Sequence, residues 1–295
     1  MANAQHAAFN PFKGIAANLK GKAVPPNKTN RSRFLFIFLV DVSSSTGFGG
    51  ANADIHAINR DLAKCFEQLR NPPTDDPLYA VKNQIDISLV TYSNTPKPII
   101  EWESADALPS ALNLTPEFST NTCRALHFAM DMIEARLNLI GKPGQKVSTG
   151  TPHIFHITDG VPRDVKVGTP EWEDLQARIR RFDAGANKED TQKGHILHFL
   201  SPKSSSYDPD NPAADEHGNP ISGQQMMSKL SGDETIITLT RGAESMKAMV
   251  RLITALITVK SSPGAKKQVK DVIQEEVAAS GGALATPIGM PKTKF

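Results

Sequence analysis

Residues 34–40 read FLFIFLV, a run of aromatic and aliphatic side chains with no polar interruption. A strand with one wet face would alternate. A continuous run predicts a strand covered on both faces, as in a parallel sheet. The spacing then becomes helical, with Ile55, Ile58, Leu62, Phe66 and Leu69 on one face until Asn71-Pro72-Pro73 ends it. The two patterns keep exchanging. Residues 85–91, 153–158, 195–200 and 235–239 read as strands, and 99–102, after Pro96 and Pro98, as a short edge strand. Residues 125–140, 170–182, 224–230 and 243–259 read as helices. Strands alternating with helices predict an α/β fold: a doubly wound, mostly parallel sheet with helices on both faces.

Loss of periodicity sets the expected boundaries. Residues 1–32 read as a flexible arm, 33–260 as the domain, and 261–295 as a loosely held tail with a short helix near 269–278. Residues 201–223, rich in Ser, Pro, Asp and Asn, read as a long surface loop, more in keeping with a disordered insertion than with a calcium loop.

Composition narrows the function classes. With 39% hydrophobic and 22% charged residues the 295-residue chain has an ordinary globular make-up. A net charge of +2 provides no basic field for nucleic acid. Cys65 and Cys123 both fall in helical segments and read as small core residues in a reducing compartment. No apolar leader is visible near the N-terminus, and the 34–40 run is far shorter than the roughly 20 residues a membrane span needs. The expected location is cytoplasmic, with no membrane partner. The sequon at Asn113 stands alone in suggesting otherwise.

The chemistry gathers at strand ends. In open α/β sheets, ligands bind beyond the carboxyl ends of the strands. The first apolar run ends in Asp41-Val42-Ser43-Ser44-Ser45. A hydroxyl-rich loop, Ser119-Thr120-Asn121-Thr122, opens a helix, and Thr158-Asp159-Gly160 ends another strand. Carboxylates and hydroxyls are hard oxygen ligands, suited to Mg²⁺ or Mn²⁺. No His or Glu stands in the three motifs to activate water. His156 reads as a strand residue. Asp164 and Arg163 read as solvated loop charges, and His195 and His198 as facing opposite sides of one strand.

Asp, Ser, Ser, Thr and Asp in this order resemble the metal-ion-dependent adhesion site of von Willebrand factor type A domains, over nearly the whole of residues 34–259. The resemblance implies a Mg²⁺ (or Mn²⁺) site of Asp41, Ser43, Ser45, Thr120 and Asp159. It implies a non-enzymatic role in which the metal binds an acidic residue of a protein partner. Ser119 and Cys123 stand where the family often has glycine. A stand-alone domain with a loop insertion is also similar to the bacterial tellurite-resistance TerY-like group, which implies a stress or defence setting and a kinase or phosphatase encoded nearby. The alternatives are a subunit of an AAA+ ATPase (MoxR- or chelatase-like) assembly and a metal-dependent hydrolase.

Overall fold

The computed structural model describes residues 32–43, 54–117, 119–140, 147–158, 161–184, 194–209, 212–240, 242–261 and 269–286. Nine strands are described: β1 (Phe34–Asp41), β2 (Ile85–Tyr92), β3 (Pro96–Ser104), β4 (His153–Thr158), β5 (His195–Leu200), β6 (Ala213–Ala214), β7 (Pro220–Ile221), β8 (Ile236–Leu239) and β9 (Leu284–Ala285). The α-helices are α1 (Asp54–Arg70), α2 (Pro77–Val81), α3 (Thr122–Ile140), α4 (Pro170–Ala184), α5 (Gly223–Ser231), α6 (Gly242–Ser261) and α7 (Val269–Ala279).

Seven strands form one sheet in the order β3-β2-β1-β4-β5-β8-β9. The five central strands are parallel, and β3 and β9 close the two edges antiparallel. The chain winds outward from β1 to β2 and β3, then returns to the other side of β1 with β4. The switch point lies between β1 and β4, where a doubly wound sheet opens a crevice for ligands.

Every residue of β1 and β2 is buried, which explains the unbroken apolar run at 34–40 in β1; β2 also buries the polar Asp86, Ser88 and Thr91. Phe36, Phe38 and Val40 pack with Leu62 and Phe66 of α1 and Leu252 and Leu256 of α6. Leu35, Ile37 and Leu39 pack on the opposite face with Leu126 and Met130 of α3, Leu175 of α4 and Met227 of α5. The expected doubly wound fold is therefore present.

Three expectations are corrected. The edge strand β3 runs from Pro96 to Ser104 with irregular register against β2 and a positive φ of 51° at Trp102. Its prolines survive because an edge strand leaves one row of N–H groups unpaired. The domain does not end near residue 260. Helix α7 buries Val272 and Ile273, and β9 pairs with β8 and buries Leu284. A two-residue strand is too short to show as a pattern, so the segment read as tail. The 201–223 stretch is not simply a loop. It contains a short 3₁₀ turn and the β6–β7 hairpin, which buries Ala213 and Ile221. Asp215 closes that hairpin, accepting N–H bonds from His217 and Asn219 at 2.9 and 2.8 Å. One of the acidic groups weighed for calcium is thus spent inside the turn.

Candidate metal centre

β1 delivers Asp41 to the switch point with its side chain closed from solvent, at 0% exposure. A buried carboxylate needs donors. The Ser43 N–H donates to Asp41 Oδ1 at 2.8 Å, and the Thr158 hydroxyl donates to Oδ2 at 2.7 Å. The first bond bends the chain into a tight turn just after the strand. The second ties the end of β1 to the end of β4. Ser43 is itself buried.

The loop before α3 is laced to the same edge. The Glu117 N–H donates to the Val42 carbonyl at 2.6 Å, and the Asn121 N–H to the Ser93 carbonyl at 2.9 Å. Glu117 accepts from Lys97 Nζ and from the Ser93 hydroxyl, both at 2.6 Å. Those bonds, the lysine's first, hold its carboxyl below the usual range. Thr120 is 3% exposed, and its carbonyl accepts from the Arg163 N–H at 2.9 Å. Ser119 before it adopts φ 73°, the left-handed region that favours glycine. Serine therefore carries backbone strain at a position that glycine would hold without it.

The third loop is anchored by Asp164. Its carboxylate accepts from the backbone N–H groups of Cys123 and Arg124 at 3.1 and 2.9 Å. It therefore caps the positive N-terminal end of α3 and is not the solvated charge expected from the sequence. Burial pushes its carboxyl up, against the pull of those two N–H bonds.

Asp41, Ser43 and Thr120 thus reach one edge of the sheet, on loops joined by short backbone hydrogen bonds. Ser45 and Asp159 lie outside the described residues. The donors in view are hard oxygens, which suit a small divalent cation held by carboxylate and hydroxyl. The nearby thiol does not compete: burial, together with the charges of Asp164, Asp174 and Glu171, pushes Cys123 up to about 12, so it stays protonated. Among the described residues, no group of three or more His, Cys, Asp or Glu side chains is arranged to hold a metal.

Sequence reasoning missed Thr158, Tyr92 and Glu117. Thr158 and Tyr92 come to Asp41 through strand register, which local spacing does not show. Asp41 pairs with Tyr92, Val40 with Ile157, and the alternation of β4 turns Thr158 to the same face as Asp41.

No protein-family model matches this sequence, and no curated protein matches it. Likenesses appear in solved structures. The pilus adhesin SpaC from Lactobacillus rhamnosus GG aligns over 77% of this chain and 30% of its own, with 13% identity and a TM-score of 0.50. A von Willebrand factor type A protein from Catenulispora acidiphila aligns over 78% of this chain and 43% of its own, with 13% identity and a TM-score of 0.48. Proximal thread matrix protein 1 from the mussel byssus, whose MIDAS motif is occupied by zinc, aligns over 77% and 46%, with 13% identity and a TM-score of 0.43. The chain spans less than half the length of each. These are likenesses of fold. The architecture is the doubly wound, Rossmann-like one that the resemblance to type A domains implied.

Proposed function

We propose that the chain is a metal-dependent protein-interaction module of the von Willebrand factor type A kind. The observation that carries this reading is the Asp41 carboxylate. It sits buried at the topological switch point, held from both sides, with Ser43 beside it and Thr120 brought to the same edge. Asp41, Ser43 and Thr120, with Ser45 and Asp159, would hold Mg²⁺ or Mn²⁺. The bound cation would supply an open coordination position for a carboxylate of a partner protein. Neutral hydroxyls around the metal leave it enough positive charge to attract that carboxylate.

We read the site as adhesive and not hydrolytic. The buried imidazole on this face of β4, that of His156, is engaged at both nitrogens, by Tyr92 and by His198. It is therefore not placed to activate water at the metal. Among the described residues no helix is long and apolar enough to cross a membrane. A cytoplasmic stress or defence role, with a kinase or phosphatase as partner, belongs to the proposal through the TerY-like resemblance alone.

The test is calorimetric titration of the full chain with Mg²⁺ and with Mn²⁺, alongside Asp41→Ala, followed by partner capture with metal and with EDTA. The expected result is saturable metal binding and metal-dependent capture by wild type only. Capture that survives both EDTA and a folded Asp41→Ala variant would overturn the reading.

A further inference from the structure

Beside Asp41 a file of buried polar side chains runs across one face of the sheet. The Tyr92 phenol reaches past β1 to His156 Nε2 at 2.6 Å. His156 Nδ1 lies 2.8 Å from His198 Nδ1, and His198 Nε2 lies 2.9 Å from the Ser231 hydroxyl at the C-terminal end of α5. At the near end, the phenol meets the Thr122 hydroxyl at 3.4 Å and also hydrogen-bonds Thr158, which donates to Asp41. Both imidazoles are fully buried. The groups facing the phenol are Asp41, Asp164 and the two threonines; the groups facing the imidazoles are Tyr92, each other and Ser231.

Two neutral imidazoles joined through their Nδ1 atoms share one hydrogen, so their tautomers are linked. In one state every donor points away from Asp41. The phenol donates to His156 Nε2, His156 Nδ1 donates to His198 Nδ1, and His198 Nε2 donates to Ser231. In the other state every donor points back. Ser231 donates to His198 Nε2, His198 Nδ1 to His156 Nδ1, His156 Nε2 to the phenol oxygen, and the phenol O–H turns toward the threonines and Asp41. Passing between the states takes one proton in at one end and releases one at the other, so both states have the same protonation and charge. Buried chains of this kind are cooperative, since each bond polarises the next.

We propose that this file is a two-state hydrogen-bond chain whose direction is set by the charge at Asp41 and read at the end of α5. A bare carboxylate attracts the phenol hydrogen and favours donors pointing toward it. A cation on Asp41 repels that hydrogen, attracts the phenol lone pairs, and favours the opposite direction. Burial supports the scheme by holding both imidazoles neutral: it lowers His198 to about 3 and His156 well below its ordinary value. The far end lies next to Gly232, which has φ 93° and follows the last turn of α5. Occupancy of the metal edge is thereby communicated to a second, half-buried part of the surface. The cation is the natural trigger under the function proposed above, but the field argument requires only a change of charge at Asp41.

The experiment is proton–nitrogen NMR of the full chain with isotope-labelled histidine, which reports for each ring nitrogen whether it carries hydrogen. In EDTA, His156 is expected as the Nε2–H tautomer and His198 as Nδ1–H. In saturating Mg²⁺ both are expected to swap. Asp41→Asn, which removes the charge without metal, should show the swapped pair in EDTA. Tyr92→Phe should bind Mg²⁺ by calorimetry yet show no tautomer response. Tautomers that stay the same in EDTA, in Mg²⁺ and in a folded Asp41→Asn variant would overturn the proposal. A swap in Asp41→Asn with no Mg²⁺ binding to wild type would support the chain and sink the metal reading alone.

Discussion

Ser119 holds φ at 73° immediately before Thr120. A non-glycine residue in the left-handed region costs about 1–2 kcal/mol. Glycine would remove that strain but raise the entropy of the unfolded chain by about 0.4–1 kcal/mol. Ser119→Gly is therefore expected to be neutral to about 1.6 kcal/mol stabilising, and Ser119→Val to destabilise, both read by urea denaturation. Thr158 gives a second prediction. Thr158→Val removes the 2.7 Å bond to Asp41 Oδ2 and is expected to cost about 1–3 kcal/mol, with Thr158→Ser restoring most of it. The candidate ligands were legible as residues: Asp41 ends the most apolar run in the chain, and a carboxylate there needs a reason. The supporting bonds were not legible. Thr158 meets Asp41 only because β4 comes back to lie beside β1, a pairing of distant segments that local spacing does not encode. Asp164 was misread for the same reason, since the helix end it caps lies some forty residues earlier in the chain.

Helix α3 is fastened to the sheet at both ends. Asp164 caps its start, and near its end Arg136 donates to Asp86 on β2 at 2.8 Å, where Arg33 also reaches Asp86 at 2.7 Å. The side chains of Arg136 and Asp86 are only 3% and 2% exposed. Removing one partner of a buried ion pair leaves charge uncompensated and typically costs about 3–5 kcal/mol. Arg136→Met should fall in that range, and Arg33 remaining on Asp86 should keep it near the lower end. Denaturation at neutral pH checks it. The C-terminal element makes an equally direct prediction. Leu284 is buried where β9 pairs with β8, so Leu284→Ala should cost about 2–5 kcal/mol. A true tail would show no change. The long elements were readable from periodicity because their faces are fully committed to one core or the other. The short ones, β6, β7 and β9, were not, because two residues cannot display an alternation.

The whole molecule places its chemistry by topology, and the same topology stores an acid sensitivity. Parallel central strands buried on both faces leave little room for polar groups, yet this face holds the two imidazoles of His156 and His198. In the folded chain burial keeps both neutral, His198 down to about 3 from an ordinary 6.5. In the unfolded chain both take up protons as pH falls through about 6.5. The unfolded state then binds more protons than the native state, so stability must fall as pH drops from about 6.5 toward 3. Between neutrality and pH 5, His198 alone accounts for about 2 kcal/mol of lost stability, from the linkage slope of about 1.4 kcal/mol per pH unit. His156 acts in the same direction, as does His127, which is lowered by burial and by Arg178. The depressed carboxyl of Glu117 also loses stability in acid, but only at lower pH, below its ordinary 4.5. The window from pH 7 to 5 therefore belongs mainly to the histidines. Urea denaturation across that window should show a steady loss in wild type. A His198→Gln variant, less stable at neutral pH, should show a slope shallower by the share of one histidine. An unchanged slope in that variant would mean that His198 titrates in the fold as it does in the unfolded chain, so that burial does not hold the imidazole pair neutral as the hydrogen-bond chain requires.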